Sequence, residues 1–267
     1  TGKSYEAKQQ NGKVMIDLPF GLYNINAIGT ITYAVDGKEK RASVVATRPN
    51  ETINSPESNI TLDLLFSEQP DPGEGDIRSL VIAEIFPSGT LTPNGDKYIG
   101  DQYFRIYNNS DKVVYADSLL ILESSFNTIL VQDIEPKLTE TCFPVQAVYM
   151  IPGNGKDVPV QPGGYLTICD QAANHKSINK NSIDLSNADF EWYDETPANS
   201  RVKDVDNPAK NLEKIYCYTR TIWSLHDRGG SSYAIAKMNT SKEDYLAKYK
   251  AKYIWKVQMP DGTIKNV

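Results

Sequence analysis

Leu80-Val81-Ile82-Ala83-Glu84-Ile85-Phe86, then Gln102-Tyr103-Phe104-Arg105-Ile106-Tyr107 and Leu119-Leu120-Ile121-Leu122-Glu123, decide the fold class. Each is a short run of β-branched, aliphatic and aromatic side chains of the kind that fits a pleated, half-buried surface. Between them lie turn formers such as Asn108-Asn109-Ser110-Asp111, whose short polar side chains bond their own backbone and tolerate tight turns. Further strands are expected at 147–151, 165–169, 215–223 and 232–237. Short strands with frequent turns, not alternating with helical patterns, specify an antiparallel sandwich rather than βα units.

Upstream, the chain to about Phe66 is also written as strands. Lys13 to Leu18 reads as one run, turned by Pro19-Phe20-Gly21. Leu22-Tyr23-Asn24-Ile25-Asn26-Ala27 alternates with period two, as a half-buried strand does. Ile31-Thr32-Tyr33-Ala34-Val35 continues it, and Asp36-Gly37 is a hairpin signal because both positions accept positive φ. Ile60 to Phe66 closes this segment. Ser67 to Asp76 is then rich in proline, glycine and acid, a composition that packs poorly and marks a boundary.

Downstream, Ser241-Lys242-Glu243-Asp244 has the form of a capping box, with Tyr245, Leu246, Tyr249 and Tyr253 at helical spacing behind it. That is an amphipathic helix near 241–252 packed on a sheet. A strand at 253–257 and a turn at Asp261-Gly262 come next. The expected architecture is therefore all-β: two immunoglobulin-like antiparallel β-sandwich domains, the second with long loop insertions and one C-terminal helix. Their bounds are 1–68 and 79–267, with a linker at 69–78.

Composition narrows the function classes. Thirty-four acidic residues against 28 basic give a net charge of −6 and a pI near 5.1. No basic stripe is present, so nucleic acid is not an expected partner. No run of 18 apolar residues occurs, so no helical bilayer span is expected. The sequence opens Thr1-Gly2-Lys3-Ser4 without an apolar signal region, so export would use a leader outside it. Cys142, Cys169 and Cys217 read as buried thiols, because free cysteine behaves as a small hydrophobe. A Cys169–Cys217 disulfide with one remaining thiol is the alternative. A three-cysteine metal site is not expected, since no C-x-x-C pair closes it.

Val81 to Ile85, Phe104 to Ser110, Val114 to Leu119 and Gln161 to Ile168 together resemble the strands of lamin-tail-type domains, which implies an immunoglobulin-like sandwich. Gly100 to Asp111, Ile151 to Lys156, Ala188 to Asp194 and Trp223 to Gly229 resemble a family of exported Bacteroidetes lipoproteins of unknown function. In that family a carboxypeptidase-regulatory-like or transthyretin-like sandwich precedes the lamin-tail-like domain. Residues 13–66 are similar to the end of such a sandwich. The resemblance implies an outer-membrane or cell-surface lipoprotein, held by a lipid anchor on an upstream cysteine outside this sequence. By analogy with such lipoproteins, an outer-membrane transporter is the expected partner. The resemblance supplies no catalytic residues.

The residues themselves offer few sites. His226, in Trp223-Ser224-Leu225-His226-Asp227-Arg228, would need an orienting partner and a nucleophile to act as a base. Asp227 is its sequence neighbour and points away from it on an extended strand. His175 reads as a loop or packing histidine, and no G-x-S-x-G or H-E-x-x-H motif is present. An enzyme is not expected. Gly153-Asn154-Gly155-Lys156 resembles a phosphate loop only in part, because Met150 and Asp157 occupy its defining outer positions. Asp204-Val205-Asp206-Asn207 alternates oxygen donors, so Asp204, Asp206 and Asn207 form a candidate calcium site, although no EF-hand glycine or closing glutamate follows. The favoured reading of that acidic stretch is a solvated loop without cofactor. Among sixteen tyrosines and three tryptophans, Trp192 and Tyr193 fall in a loop-like segment. They are the candidate stacking platform for a glycan, with His226 and Arg228 as further ligand contacts.

Overall fold

Strand-forming side chains dominate both halves of the chain, and the computed structural model is built from sheets throughout. It describes residues 3–35, 38–68, 75–129, 133–135, 142–250, 256–258 and 261–266. The chain divides into two compact units, Thr1–Asp71 and Pro72–Val267. The dividing point lies in the Pro/Gly/acid-rich stretch.

In the first unit, β1 (Gly21–Val35) and β2 (Lys38–Ile53) form a long antiparallel ladder, and β3 (Leu65–Glu68) pairs with the other side of β2. The run expected at 22–27 and its continuation at 31–35 form one strand. Ile28-Gly29-Thr30 between them stays extended, with Gly29 facing Val44 across the ladder. Residues 13–18 form no strand. Asn11 and Gly12, both at positive φ, make a tight turn from Gln10 to Lys13, and Val14, Met15 and Ile16 lie exposed beyond it. The closing strand covers 65–68 rather than 60–66. The Asp36-Gly37 turn lies outside the described residues. Ala42, Val44 and Ala46 are buried on one face of β2, with half-buried Ile25 and Ala27 of β1 beside them, while Ile28 points to the opposite, open side.

The second unit contains β4 (Leu80–Phe86), β5 (Thr90–Leu91), β6 (Lys97–Tyr98), β7 (Tyr103–Asn108), β8 (Val114–Tyr115), β9 (Leu119–Asn127), β10 (Asp133–Glu135), β11 (Val145–Met150), β12 (Pro159–Val160), β13 (Tyr165–Cys169), β14 (Phe190–Glu191), β15 (Lys210–Asn211), β16 (Glu213–Cys217), β17 (Ser231–Lys237), β18 (Lys256–Gln258) and β19 (Ile264–Asn266). One sheet runs β15-β14-β13-β7-β4 and another β16-β11-β9-β17. Their inner faces share one core: Phe104, Ile106, Leu166, Ile168 and Phe190 from the first, Leu119, Ile121, Ala147 and Tyr149 from the second. This is the two-layer sandwich read from the sequence. The strand expected at 215–223 stops at Cys217, and Trp223 follows in a loop that dives into the core.

The outer face of the four-stranded sheet carries Leu120, Leu122, Val148 and Ile215, which leaves a second apolar surface to cover. The C-terminal helix covers it, as its spacing predicts. Ser241 caps α1 (Lys242–Tyr245) by accepting from Asp244 N, a π-helical turn continues over Leu246–Lys250, and Tyr245 and Leu246 pack on the sheet with Met238. Tyr253 lies outside the described residues.

Candidate functional site

Three aromatic side chains fasten the two sheets together. Trp192 follows β14 directly, and its ring meets Phe104 at 5.9 Å and Trp223 at 5.2 Å between centroids. Tyr149 of β11 stacks on Trp223 at 4.7 Å. Both tryptophans are fully buried, so their N–H groups need acceptors. Trp192 Nε1 donates to the Trp223 carbonyl at 3.2 Å, and Trp223 Nε1 donates to Glu123. The expected role of Trp192 as a stacking platform is therefore corrected. Its ring has no face in solvent, because the segment after β14 turns inward to close the core. Tyr193, next along the backbone, is half-buried.

Acidic side chains surround this aromatic hub. Asp194 is fully buried and accepts from Tyr149 Oη at 2.8 Å, Lys214 Nζ at 2.7 Å and the Trp223 backbone N–H at 2.6 Å. Glu191 is equally buried and accepts from the backbone N–H groups of Ala172 and Asn207 and from the Asn207 amide. Both buried carboxylates thus have their oxygens met by hydrogen-bond donors. Asp170, at the end of β13, is different. It is 5% exposed, and its Oδ1 has no hydrogen-bond partner. Burial pushes its carboxyl well above the usual range and Asp204 pushes it further; the Trp192 indole N–H acts the other way, and Asp194 and Glu191 add smaller upward pushes.

The candidate calcium residues do not converge. Asp204 caps backbone, accepting from Asp194 N and Val205 N. Asp206 accepts from the Asn211 amide, and Asn207 turns its amide toward Glu191 and the Val205 carbonyl. Alternation in sequence sends these side chains to separate partners, so the expected site is not formed. Among the described residues no group of three or more His, Cys, Asp or Glu side chains gathers to hold a metal ion.

His226 sits in a turn. Its Nδ1 accepts from Gly230 N at 3.0 Å, and its own backbone N–H donates to Tyr233 Oη. A ring nitrogen occupied in this way fixes the Nε2–H tautomer and holds the loop. Asp227 points to Lys97 instead, and that ion pair holds its carboxyl below the usual range. Arg228 is exposed and 3.9 Å from Asp227. His175 is fully buried between Tyr98 Oη at 2.6 Å and the Gln171 carbonyl at 2.8 Å. The cysteines divide: Cys169 is buried, its thiol pushed up by burial, Cys217 is half-buried, and Cys142 is exposed, against the expectation of three buried thiols. Cys169 and Cys217 are both thiols, so the alternative disulfide is not formed.

The Gly153-Asn154-Gly155-Lys156 loop does bind an anion, and the anion is the protein's own. Asp117, almost fully buried, receives the backbone N–H groups of Gly155 at 3.0 Å, Asp157 at 2.9 Å and Val158 at 3.0 Å. Gly153 is required there, since a Cβ at that position would run into the Asp117 carboxylate.

A solvent-facing group that the sequence reading passed over lies on the outer face of the five-stranded sheet. Tyr165 of β13 opposes Tyr107 of β7, and Thr167 opposes Arg105, which in turn opposes Glu84 of β4. The two tyrosine rings lie 4.9 Å apart, the Arg105 guanidinium sits 4.2 Å over Tyr165, and Arg105 pairs with Glu84 at 3.1 Å. The signal was present as period-two alternation in Tyr103-Phe104-Arg105-Ile106-Tyr107. Phe104 and Ile106 face the core, and the other three face outward.

A family model described as "Protein of unknown function (DUF4876)" matches residues 161–263. No curated protein matches the chain. Among solved structures, a DUF4876 family protein from Bacteroides thetaiotaomicron VPI-5482 is similar, at a TM-score of 0.53 and 21% sequence identity over 85% of this chain and 57% of that one. The chain thus spans little over half of that protein's length, and the likeness is one of fold.

Proposed function

We propose that this chain is a non-catalytic binding protein of the cell envelope, displayed on a lipid anchor outside this sequence and acting as an accessory to an outer-membrane transporter. The envelope and transporter parts of this reading rest on the resemblance to exported Bacteroidetes lipoproteins. The observation that carries the binding part is the Tyr107–Tyr165–Arg105–Glu84 face. Tyrosine and arginine supply large contact area at low entropic cost, and they dominate the anchors of protein interfaces. Here they sit on a five-stranded sheet with a packed core behind it, so little freedom is lost on binding. A glycan is the less favoured occupant, because the Arg105 guanidinium already covers one face of Tyr165 and Tyr107 leans against the ring. An accessory domain of a hydrolase is the remaining alternative, and no feature of the site favours it.

Cross-linked affinity capture from the envelope, comparing wild type with Tyr165→Ala and Arg105→Ala, tests the reading. Recovery of a stoichiometric membrane barrel that falls at least about tenfold in both variants supports it, since an interface anchor is worth more than about 1.4 kcal/mol. Undiminished recovery in the variants removes this face. Binding on a glycan array, lost in Tyr165→Ala, replaces the protein partner with a sugar.

A further inference from the structure

β4 ends the five-stranded sheet, with β7 on one side and no strand on the other. The ladder shows which of its main-chain groups look outward. Asn108 of β7 gives its N–H to the Gly164 carbonyl at 3.0 Å and takes the Gly163 N–H at 3.2 Å, so both its groups turn away from β4. Main-chain groups alternate sides along an antiparallel strand, so Ile106 and Phe104 also turn away, while Tyr107 and Arg105 turn toward β4. Ile82 and Ile85, the partners of Ile106 and Phe104, therefore direct their N–H and C=O groups to the open side, while Val81 and Glu84 bond inward. A bulge between Ile82 and Glu84 absorbs one residue, so the two open positions keep the spacing of Ile106 and Phe104, that of a regular strand. The same bulge turns Glu84 onto the outer face beside Arg105. Edges are commonly blunted by lysine, proline or a covering segment. Val81 to Phe86 contains neither residue, and among the described residues no backbone group outside β7 bonds to it.

Resting on the binding role proposed above for the Tyr107–Tyr165–Arg105–Glu84 face, we propose that the partner protein docks by adding an extended strand to the edge of β4, bonded through the main chain of Ile82 and Ile85. The rows of the sheet set the side chains of that strand. On the outer face Tyr165, Tyr107 and Val81 form one row, and Thr167, Arg105 and Glu84 the next. The added strand continues the first row with an apolar residue and the second with a lysine or arginine. Glu84 accepts from Arg105 at 3.1 Å and from Tyr103 Oη at 3.0 Å, yet its side chain is 42% exposed, which leaves room for that cation. On the inner side Ile82, with Tyr233 and Ile235 of neighbouring β17, is only half-buried, so apolar residues of the added strand extend the core. A second copy of this chain is the less favoured occupant. Two-fold pairing of β4 with itself through Ile82 and Ile85 brings both Glu84 carboxylates together near the axis, where like charges repel.

The envelope capture described above, extended to Ile85→Pro and to hydrogen exchange, tests the added strand. Proline at 85 deletes one outward N–H and leaves the bonds to β7 in place. Recovery of the membrane barrel should fall at least about tenfold with Ile85→Pro, as with Tyr165→Ala. In the complex recovered with wild type, the Ile82 and Ile85 amides should exchange at least about tenfold more slowly than in the isolated chain, a readout that needs no variant to fold. Both results are required. A barrel lost with Tyr165→Ala but held by Ile85→Pro overturns the added strand and leaves the binding face standing. Loss with Ile85→Pro while the two wild-type amides stay fast marks a misfolded variant and overturns it equally. No barrel recovered with wild type removes the functional reading and this inference together. Slowing of both amides in the isolated chain as its concentration rises overturns the inference in favour of a second copy.

Discussion

Trp192 carries more of the sandwich than any surface aromatic could. Its ring touches Phe104 on one sheet and Trp223 beneath the other, and its N–H is committed to the Trp223 carbonyl. Replacing it with alanine removes a buried indole and opens a cavity, a change expected to cost about 3–5 kcal/mol. Urea denaturation of Trp192→Ala should show a midpoint lowered to match. Unchanged stability would mean that the ring is solvent-facing after all, and the glycan platform would return. The same single residue shows why the sequence misled. Asp189-Phe190-Glu191-Trp192-Tyr193-Asp194 mixes acids with aromatics in the manner of a surface loop, but Glu191 and Asp194 are buried because donors from elsewhere in the chain come to meet them. Nothing local announces donors that lie at Ala172, Asn207, Lys214 and Trp223.

The elements were more legible than the site, and for a physical reason. Periodicity is a local property: the period-two runs became strands, and the 3.6-period tyrosines after Ser241 became the helix that covers Leu120, Leu122 and Val148. Breaks between elements were harder to read. Residues 13–18 had apolar residues but no ladder to join, and the closing strand fell at 65–68 rather than 60–66. The cap is testable at this scale. Ser241→Ala should remove the acceptor for Asp244 N and weaken the helix by about 1 kcal/mol. Faster hydrogen exchange confined to 242–250 is the expected signature, with exchange in β9 and β11 unaltered. A variant that exchanges like wild type would show that packing on Tyr245 and Leu246, rather than the cap, holds these turns.

Across the whole molecule, a chain with net charge −6 has placed several of its acids inside, and its response to pH follows. Asp170 decides the sign, because burial raises its carboxyl well above the ordinary value. A carboxyl raised in the folded state binds a proton that the unfolded chain has already given up. Its contribution is therefore fully present below the unfolded value, near 4, and is lost as pH rises toward the folded value. Within that window stability should fall by about 1.4 kcal/mol per pH unit from this group. Asp170→Asn, which carries no such proton, should lack that slope and be the more stable protein at pH 8, as read by denaturant midpoints from pH 5 to 8. Parallel curves for the two proteins would place the pH dependence elsewhere.

The loop around Asp117 has a wider consequence. Three converging backbone N–H groups make a receptor for an oxyanion, and here a tethered carboxylate competes for it at an effective concentration that no dissolved phosphate in a cell approaches. The loop is thus a receptor that its own chain keeps permanently saturated. A search for anion-binding loops by backbone pattern would count it as a site. What separates it from a true one is the single aspartate, far away in sequence, that got there first.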